Sequence, residues 1–231
     1  MIFRKKKVWL IFSAIFLVLI LIKISGSLNW YYETSNNMHP AFKSNSTIFT
    51  TNLGDIDRED VVLIKYKDSL QEEYISFLRL IGKPGDTIFV EHNIVYVNGK
   101  EIDQNRALSF QYNVSLYTYN QIKDSPGFIT TPSYRFLYYD TFQVYLEENF
   151  AEKRNLTSKR LKYSKEEIDE IIKEQYGEKW NAHFFGPIII PPNNFFLLGD
   201  NRDVAYDSRY IGLINKRNIL SRELFSINFW D

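Results

Sequence analysis

A chain that opens with Arg4, Lys5, Lys6 and Lys7 and then runs from residue 8 to residue 22 without a charge must first house that apolar stretch. Ser13 is its only clearly polar residue. Extended to residue 28, the run approaches the ~20 residues that cross a bilayer. Lys23 then snorkels to the interface, and Trp30, Tyr31 and Tyr32 meet the far headgroups. The basic segment 1–7 stays in the cytoplasm and the chain beyond residue 28 lies outside it. A cleavable signal peptide has the same general pattern, with Ser25, Gly26 and Ser27 as its small residues. The long core and the aromatic border favour the anchor.

Beyond the anchor about 200 residues remain, enough for one domain with an insertion or for two small ones. Aromatic side chains make up 16% of the chain, and with short β-branched runs they favour strands. Lys and Arg number 28 against 28 for Asp and Glu, which removes a general electrostatic attraction to nucleic acid. With no cysteine there is no disulfide, no thiol nucleophile and no cysteine metal site, and His39, His92 and His183 are far apart. No metal or organic cofactor is indicated.

Residues 48–49, 61–66, 74–81, 87–91 and 94–97 read as strands of an antiparallel meander. Turn chemistry divides them at Asn52-Gly54-Asp55, Lys83-Pro84-Gly85-Asp86, His92-Asn93 and Asn98-Gly99. Between 103 and 180 the character changes. Stretches 107–119 and 134–146 look strand-like, whereas 164–176 has helical spacing, with Ile168, Ile171 and Ile172 as its stripe and Ser164 and Glu167 as a capping box. Residues 184–190, 195–198 and 211–214 return to β character.

Three stretches carry a resemblance. They are Ser35-Asn36-Asn37-Met38-His39-Pro40, Arg79 to Asp86 with Pro84-Gly85-Asp86 at its end, and Gly199-Asp200-Asn201-Arg202-Asp203-Val204-Ala205-Tyr206-Asp207-Ser208-Arg209. Gly199-Asp200-Asn201 alone would be an ordinary turn, and Asp207 and Arg209, two apart, could face one side of an extended segment and pair across the core. Taken in order behind an N-terminal anchor, the three stretches resemble type I signal peptidases of the S26 serine peptidase family. The resemblance covers residues 35–99 and 184–214. It implies a mainly β fold: an antiparallel β domain, 29–102 with 181–231, an inserted α+β segment or second domain at 103–180, and one N-terminal transmembrane helix at 8–28. The implied location is a bacterial-type plasma membrane.

In that family a serine immediately before the Met of the first motif is the nucleophile, and a lysine before the Arg of the second is its base. Asn37 and Leu78 stand at those positions, and Ala205 stands where a serine orients the lysine. A hydroxyl attacks a peptide carbonyl only when a base takes its proton, and a lysine is such a base only when its pKa is lowered. Asn37 and Leu78 do neither. Ser35 remains at the position that contributes a hydroxyl to the oxyanion hole, and Met38 lies at the apolar edge of the expected peptide cleft. A substitute catalyst would pair Ser35 with His39, Lys43 or Lys83, although the plainer readings are a turn serine, an exposed loop histidine and a turn lysine.

Three functions follow as expectations. The first is a catalytically inactive signal-peptidase-like protein that binds extended segments of secretory preproteins or an active signal peptidase. The others are an active type I signal peptidase, and a structural envelope protein. Membrane lipid is a partner through the N-terminal helix, and nucleic acid is not.

Overall fold

The computed structural model describes residues 24–67, 71–104, 106–129, 135–138 (backbone) and 140–228, with positions 9, 12, 13, 16–18, 20 and 21. Most of the expected anchor therefore lies outside the described residues. Those N-terminal positions and Ile24 are helical, and residues 25–28 form a turn rather than a continuation of the helix. Among the described residues no helix is long and apolar enough to cross a membrane.

The strands in chain order are β1 (Asn29–Glu33), β2 (Ser46–Thr51), β3 (Val61–Lys67), β4 (Glu73–Gly82), β5 (Thr87–Glu91), β6 (Ile94–Val97), β7 (Lys100–Glu101), β8 (Ser109–Ser115), β9 (Phe128–Ile129), β10 (Arg135–Tyr138), β11 (Thr141–Glu147), β12 (Phe184–Ile189), β13 (Asn194–Leu198), β14 (Ile214–Asn215) and β15 (Ile219–Ile227). They build three antiparallel sheets. The largest has the order β1-β2-β15-β3-β4-β13-β14, the second β12-β5-β6-β7, and the third β10-β11-β8 with β9 on β11. The architecture is mainly antiparallel β, as the sequence indicates.

Alternation explains the burial. In β3 and β4 the apolar residues Val62, Ile64, Leu78 and Leu80 join Phe195, Leu197, Ala205 and Ile214 in one buried cluster, and Met38, Phe42, Ile48, Val61, Leu63 and Phe77 form another. The second sheet has its own core, in which Ile88, Val90, Val95, Phe185 and Phe196 are buried with Ile172. The third sheet gathers Leu108, Phe110, Tyr112, Val144 and Leu146. Asp86 fixes the turn between β4 and β5 by accepting from the Lys83 amide (2.7 Å), Arg58 (2.8 Å) and Asn98 (2.7 Å). Burial pushes its carboxyl up, but these three donors hold it below the usual carboxylate range.

Several predicted elements differ. The stretch 107–119 divides into β8 and the helix α1 (Leu116–Ile122), because the Ser115 hydroxyl accepts from the Thr118 amide and caps a turn. A short helix α2 (Glu148–Lys153) follows β11. Helix α3 (Glu170–Tyr176) starts six residues later than the predicted 164, with Asp169 as its cap; Glu167 reaches the Ser164 amide, but this closes a turn. Of the predicted stripe only Ile172 is buried. The strand expected at 211–214 is instead the end of α4 (Ser208–Ile211), closed by Gly212 at φ 81°, followed by β14. The tyrosines expected at headgroups lie in β1, with Tyr31 packed edge-on to Phe77.

Candidate functional site

The loop 34–42 delivers Asn37 to the junction of β4 and the segment after β13. The Asn37 carbonyl accepts from the Asn201 amide at 3.0 Å. Its side-chain amide donates to the Ser76 hydroxyl at 3.1 Å. Ser76 precedes Leu78 by two residues in β4, so the two side chains share a face of the strand. Leu78 is 0% exposed and belongs to the same apolar cluster as Ala205. Gly199 joins these positions: a β-carbon there would overlap Ala205 Cβ and lie 2.6 Å from the Asn37 carbonyl oxygen. Asn37, Leu78 and Ala205, far apart in sequence, thus surround one small region.

Ser35 is bound locally. Its amide donates to Glu33 Oε1 at 2.6 Å, and its hydroxyl accepts from the Asn37 amide at 3.2 Å. Met38 is 1% exposed, so its side chain supports the loop from the core.

The third motif is held by buried charge. Arg79 binds Asp200 through two parallel N–H groups, Nε to Oδ1 at 2.8 Å and Nη2 to Oδ2 at 2.5 Å. Burial lowers the Arg79 pKa, yet Asp200 outweighs it and the net direction is upward. Arg202 binds Asp103 in the same bidentate way (2.5 and 2.7 Å) and donates to the Gly199 carbonyl. Asp207 and Arg209 meet groups across the core as the sequence suggests, Arg209 donating to the Ala182 carbonyl at 3.3 Å and the Arg202 carbonyl at 2.5 Å. They also pair with each other (2.9 and 2.8 Å), because Asp207 caps α4 and α4 turns Arg209 back over it. Asp207 also accepts from the Gly199 amide at 3.2 Å, and Ser208 accepts from the Leu197 amide at 2.9 Å. Removing one partner of such a buried pair typically costs about 3–5 kcal/mol. These contacts position the chain that presents Asn201 and Ala205.

Sequence reasoning missed two polar clusters. The Asp203 side chain is buried and accepts from Asn93 (3.1 Å) and the Gln111 amide (2.9 Å), while His183 Nε2 lies 3.1 Å away. Burial raises the pKa of the Asp203 carboxyl, but the His183 imidazole and the Gln111 amide hold it low overall. The second cluster contains His39, which is buried rather than exposed on a loop. Its Nδ1 lies 3.2 Å from the Ser109 hydroxyl and its Nε2 3.8 Å from Glu147 Oε1. Burial, aided by Lys43, lowers its pKa to about 4, so the ring is neutral at pH 7. The order hydroxyl, imidazole, carboxylate is that of a triad, but Ser109 is 0% exposed and no substrate carbonyl reaches it. His39 thus faces Ser109 rather than Ser35, and Lys83 is bonded to Asp57 at 2.5 Å. Ser76 was legible in principle, as the residue two before Leu78 in a predicted strand.

Among the described residues no group of three or more His, Cys, Asp or Glu is placed to hold a metal ion. The amide and hydroxyl groups of Ser35, Asn37 and Ser76 hydrogen-bond one another. At positions 37, 78 and 205 the site holds no hydroxyl nucleophile and no proton acceptor of amine type.

The chain is 24% identical over 200 residues to signal peptidase I S of Bacillus subtilis, covering 84% of this chain and 74% of that one. It is 24% identical over 226 residues to signal peptidase IB of Staphylococcus aureus, covering 96% and 88%. It is 23% identical over 206 residues to a probable signal peptidase I-2 of Synechocystis, covering 86% of this chain but only 62% of that relative. A crystal structure of a signal peptidase I from Enterococcus faecalis aligns with a TM-score of 0.36 at 15% identity, over 74% of this chain and 98% of that one. The sequence model of the family described as signal peptidase, peptidase S26, matches residues 5–230, nearly the whole chain. The chain belongs to the S26 signal peptidase family.

Proposed function

We propose that this chain is a membrane-anchored member of its family that binds an extended segment of a secretory preprotein outside the cytoplasm and does not cleave it. The observation that carries the reading is Leu78. A fully buried leucine among Val62, Ile64, Leu80 and Ala205 stands where the family resemblance calls for a general base. Loss of both nucleophile and base in a triad-type enzyme costs a factor of about 10⁶ in turnover. Asn37, bonded to Ser76, is a poor nucleophile.

Binding is supported by the edge of β4. Residues 73–79 pair with β3 on one side, whereas β13 covers the other only from Arg79 onward. Residues 73–78 therefore have no strand on that side among the described residues. An open edge accepts an extended segment by main-chain hydrogen bonds. Anchoring is supported by the exposure of Trp9, Phe12, Phe16, Leu17, Val18, Leu21 and Ile24. At about 100° per residue they extend round most of a helix, an arrangement that lipid covers and water does not. On this reading residues 103–180, with the third sheet and its core, are a second domain inserted into 29–102 and 181–231.

The test is a photo-crosslinker at Ile75, which is exposed on β4, in full-length protein in liposomes with a secretory preprotein. The expected result is a crosslink to the preprotein near its signal junction and no mature product. A mature product from the wild-type protein overturns the reading in favour of an active peptidase. No crosslink to any preprotein favours an envelope component that keeps the fold alone.

A further inference from the structure

A cavity of about 540 Å³ lies between the end of β2, the 54–57 turn, the Lys83-Pro84 turn and the start of β15. Its charged lining is Lys83, Lys216 and Arg222 against Asp55 and Asp57. Lys83 and Asp57 neutralise each other at 2.5 Å, which leaves two cations against Asp55. Among the described residues the buried Arg222 Nε in its lining has no hydrogen-bond partner. A buried donor of this kind is costly unless an acceptor reaches it, and an anion rich in oxygen would serve Arg222 together with Lys216.

The cavity also has a fixed relation to the N-terminal helix. Asn52 in its wall donates to the Ser25 carbonyl at 3.0 Å, and neighbouring Thr51 donates to the Ser27 carbonyl at 2.7 Å. The wall is thus hydrogen-bonded to the chain as it leaves that helix. Leu53 and Leu220 are exposed beside the cavity, offering apolar surface next to the cations.

We propose that this cavity binds the phosphate group of an anionic membrane lipid, an inference that rests on the reading of the N-terminal helix as the anchor. The lipid phosphate accepts from Arg222 and Lys216, and its glycerol and acyl parts lie along Leu220 and Leu53. A free phosphate shares the first set of contacts but gains nothing from the second.

The experiment uses full-length protein in a neutral detergent, with thermal unfolding followed as short-chain phosphatidylglycerol, short-chain phosphatidylcholine or inorganic phosphate is titrated. The expected result is a saturable rise of about 5 °C with phosphatidylglycerol and under about 1 °C with the other two. Lys216→Gln, at an exposed position, should at least halve the rise, and Lys216→Gln/Arg222→Gln should abolish it. If the double variant does not fold, the single variant decides. No rise with phosphatidylglycerol, an equal rise with inorganic phosphate, or a rise unchanged in the variants each overturns the proposal. Because the protein is in micelles, these outcomes are separate from the anchor reading, which is tested by resistance to alkaline extraction from membranes.

Discussion

Replacing Leu78 with lysine puts an amine at the position a signal peptidase base would take, in surroundings formed by apolar side chains. Leu78 is 0% exposed and shares its cluster with Val62, Ile64, Leu80, Leu197 and Ala205. The aliphatic stem of lysine keeps much of the packing, so the charge decides the outcome. A lysine buried without a partner has a pKa near 5–6, against about 10.4 unfolded. At pH 7 the folded form then holds a neutral amine where the unfolded chain would be protonated, a penalty of about 4–5 kcal/mol at 1.36 kcal/mol per pH unit. The folded pKa is lowered, so the unfolded state binds more protons in this range and the penalty shrinks as pH rises, to under about 1 kcal/mol at pH 10. Adding Ala205→Ser offers the amine a hydroxyl and should return about 1 kcal/mol. Urea unfolding of wild type and variants at both pH values measures this. A difference below about 1 kcal/mol that does not change with pH would mean that water reaches position 78, and the site would not be dry and apolar.

Two further outcomes follow from the geometry. Gly199→Ala should destabilise by about 2–3 kcal/mol, because its β-carbon meets Ala205 Cβ and the Asn37 carbonyl; Ala205→Gly should recover only part of this, read from a double-mutant cycle by chemical denaturation. His39 is neutral when folded, with a pKa of about 4 against 6.5, so its contribution is complete above pH 6.5 and is lost as pH falls toward 4. His39→Gln should therefore remove up to about 3 kcal/mol of acid sensitivity from the difference between stabilities at pH 7 and pH 4.

Much of the fold was legible because alternation and turn chemistry coincide. The β3–β4 hairpin and the β5–β6 pair lie where apolar runs are separated by Asn, Gly, Pro and Asp. β15 was not legible: ILSRELFSI mixes charges with apolar residues and has a bulge, yet lies between β2 and β3 in the large sheet. Tertiary pairing, not local pattern, makes it a strand. The helices α1 and α4 were obscured by Tyr, Thr and Ile, which suit strands, and were decided by the caps Ser115 and Asp207. In the site, positions 37, 78 and 205 could be named from motif order alone. The partners Asp103 and Ser109 could not, because they come from segments 70 to 99 residues distant that only the folded sheets bring near.

On this reading the chain has lost the chemistry of its family and kept the binding geometry. Full-length wild type and Asn37→Ser/Leu78→Lys/Ala205→Ser, each in liposomes with a secretory preprotein, should differ in one product: mature protein from the triple variant and none from the wild type. Mature protein from the wild type would refute the reading, and so would a folded triple variant that binds preprotein but releases nothing.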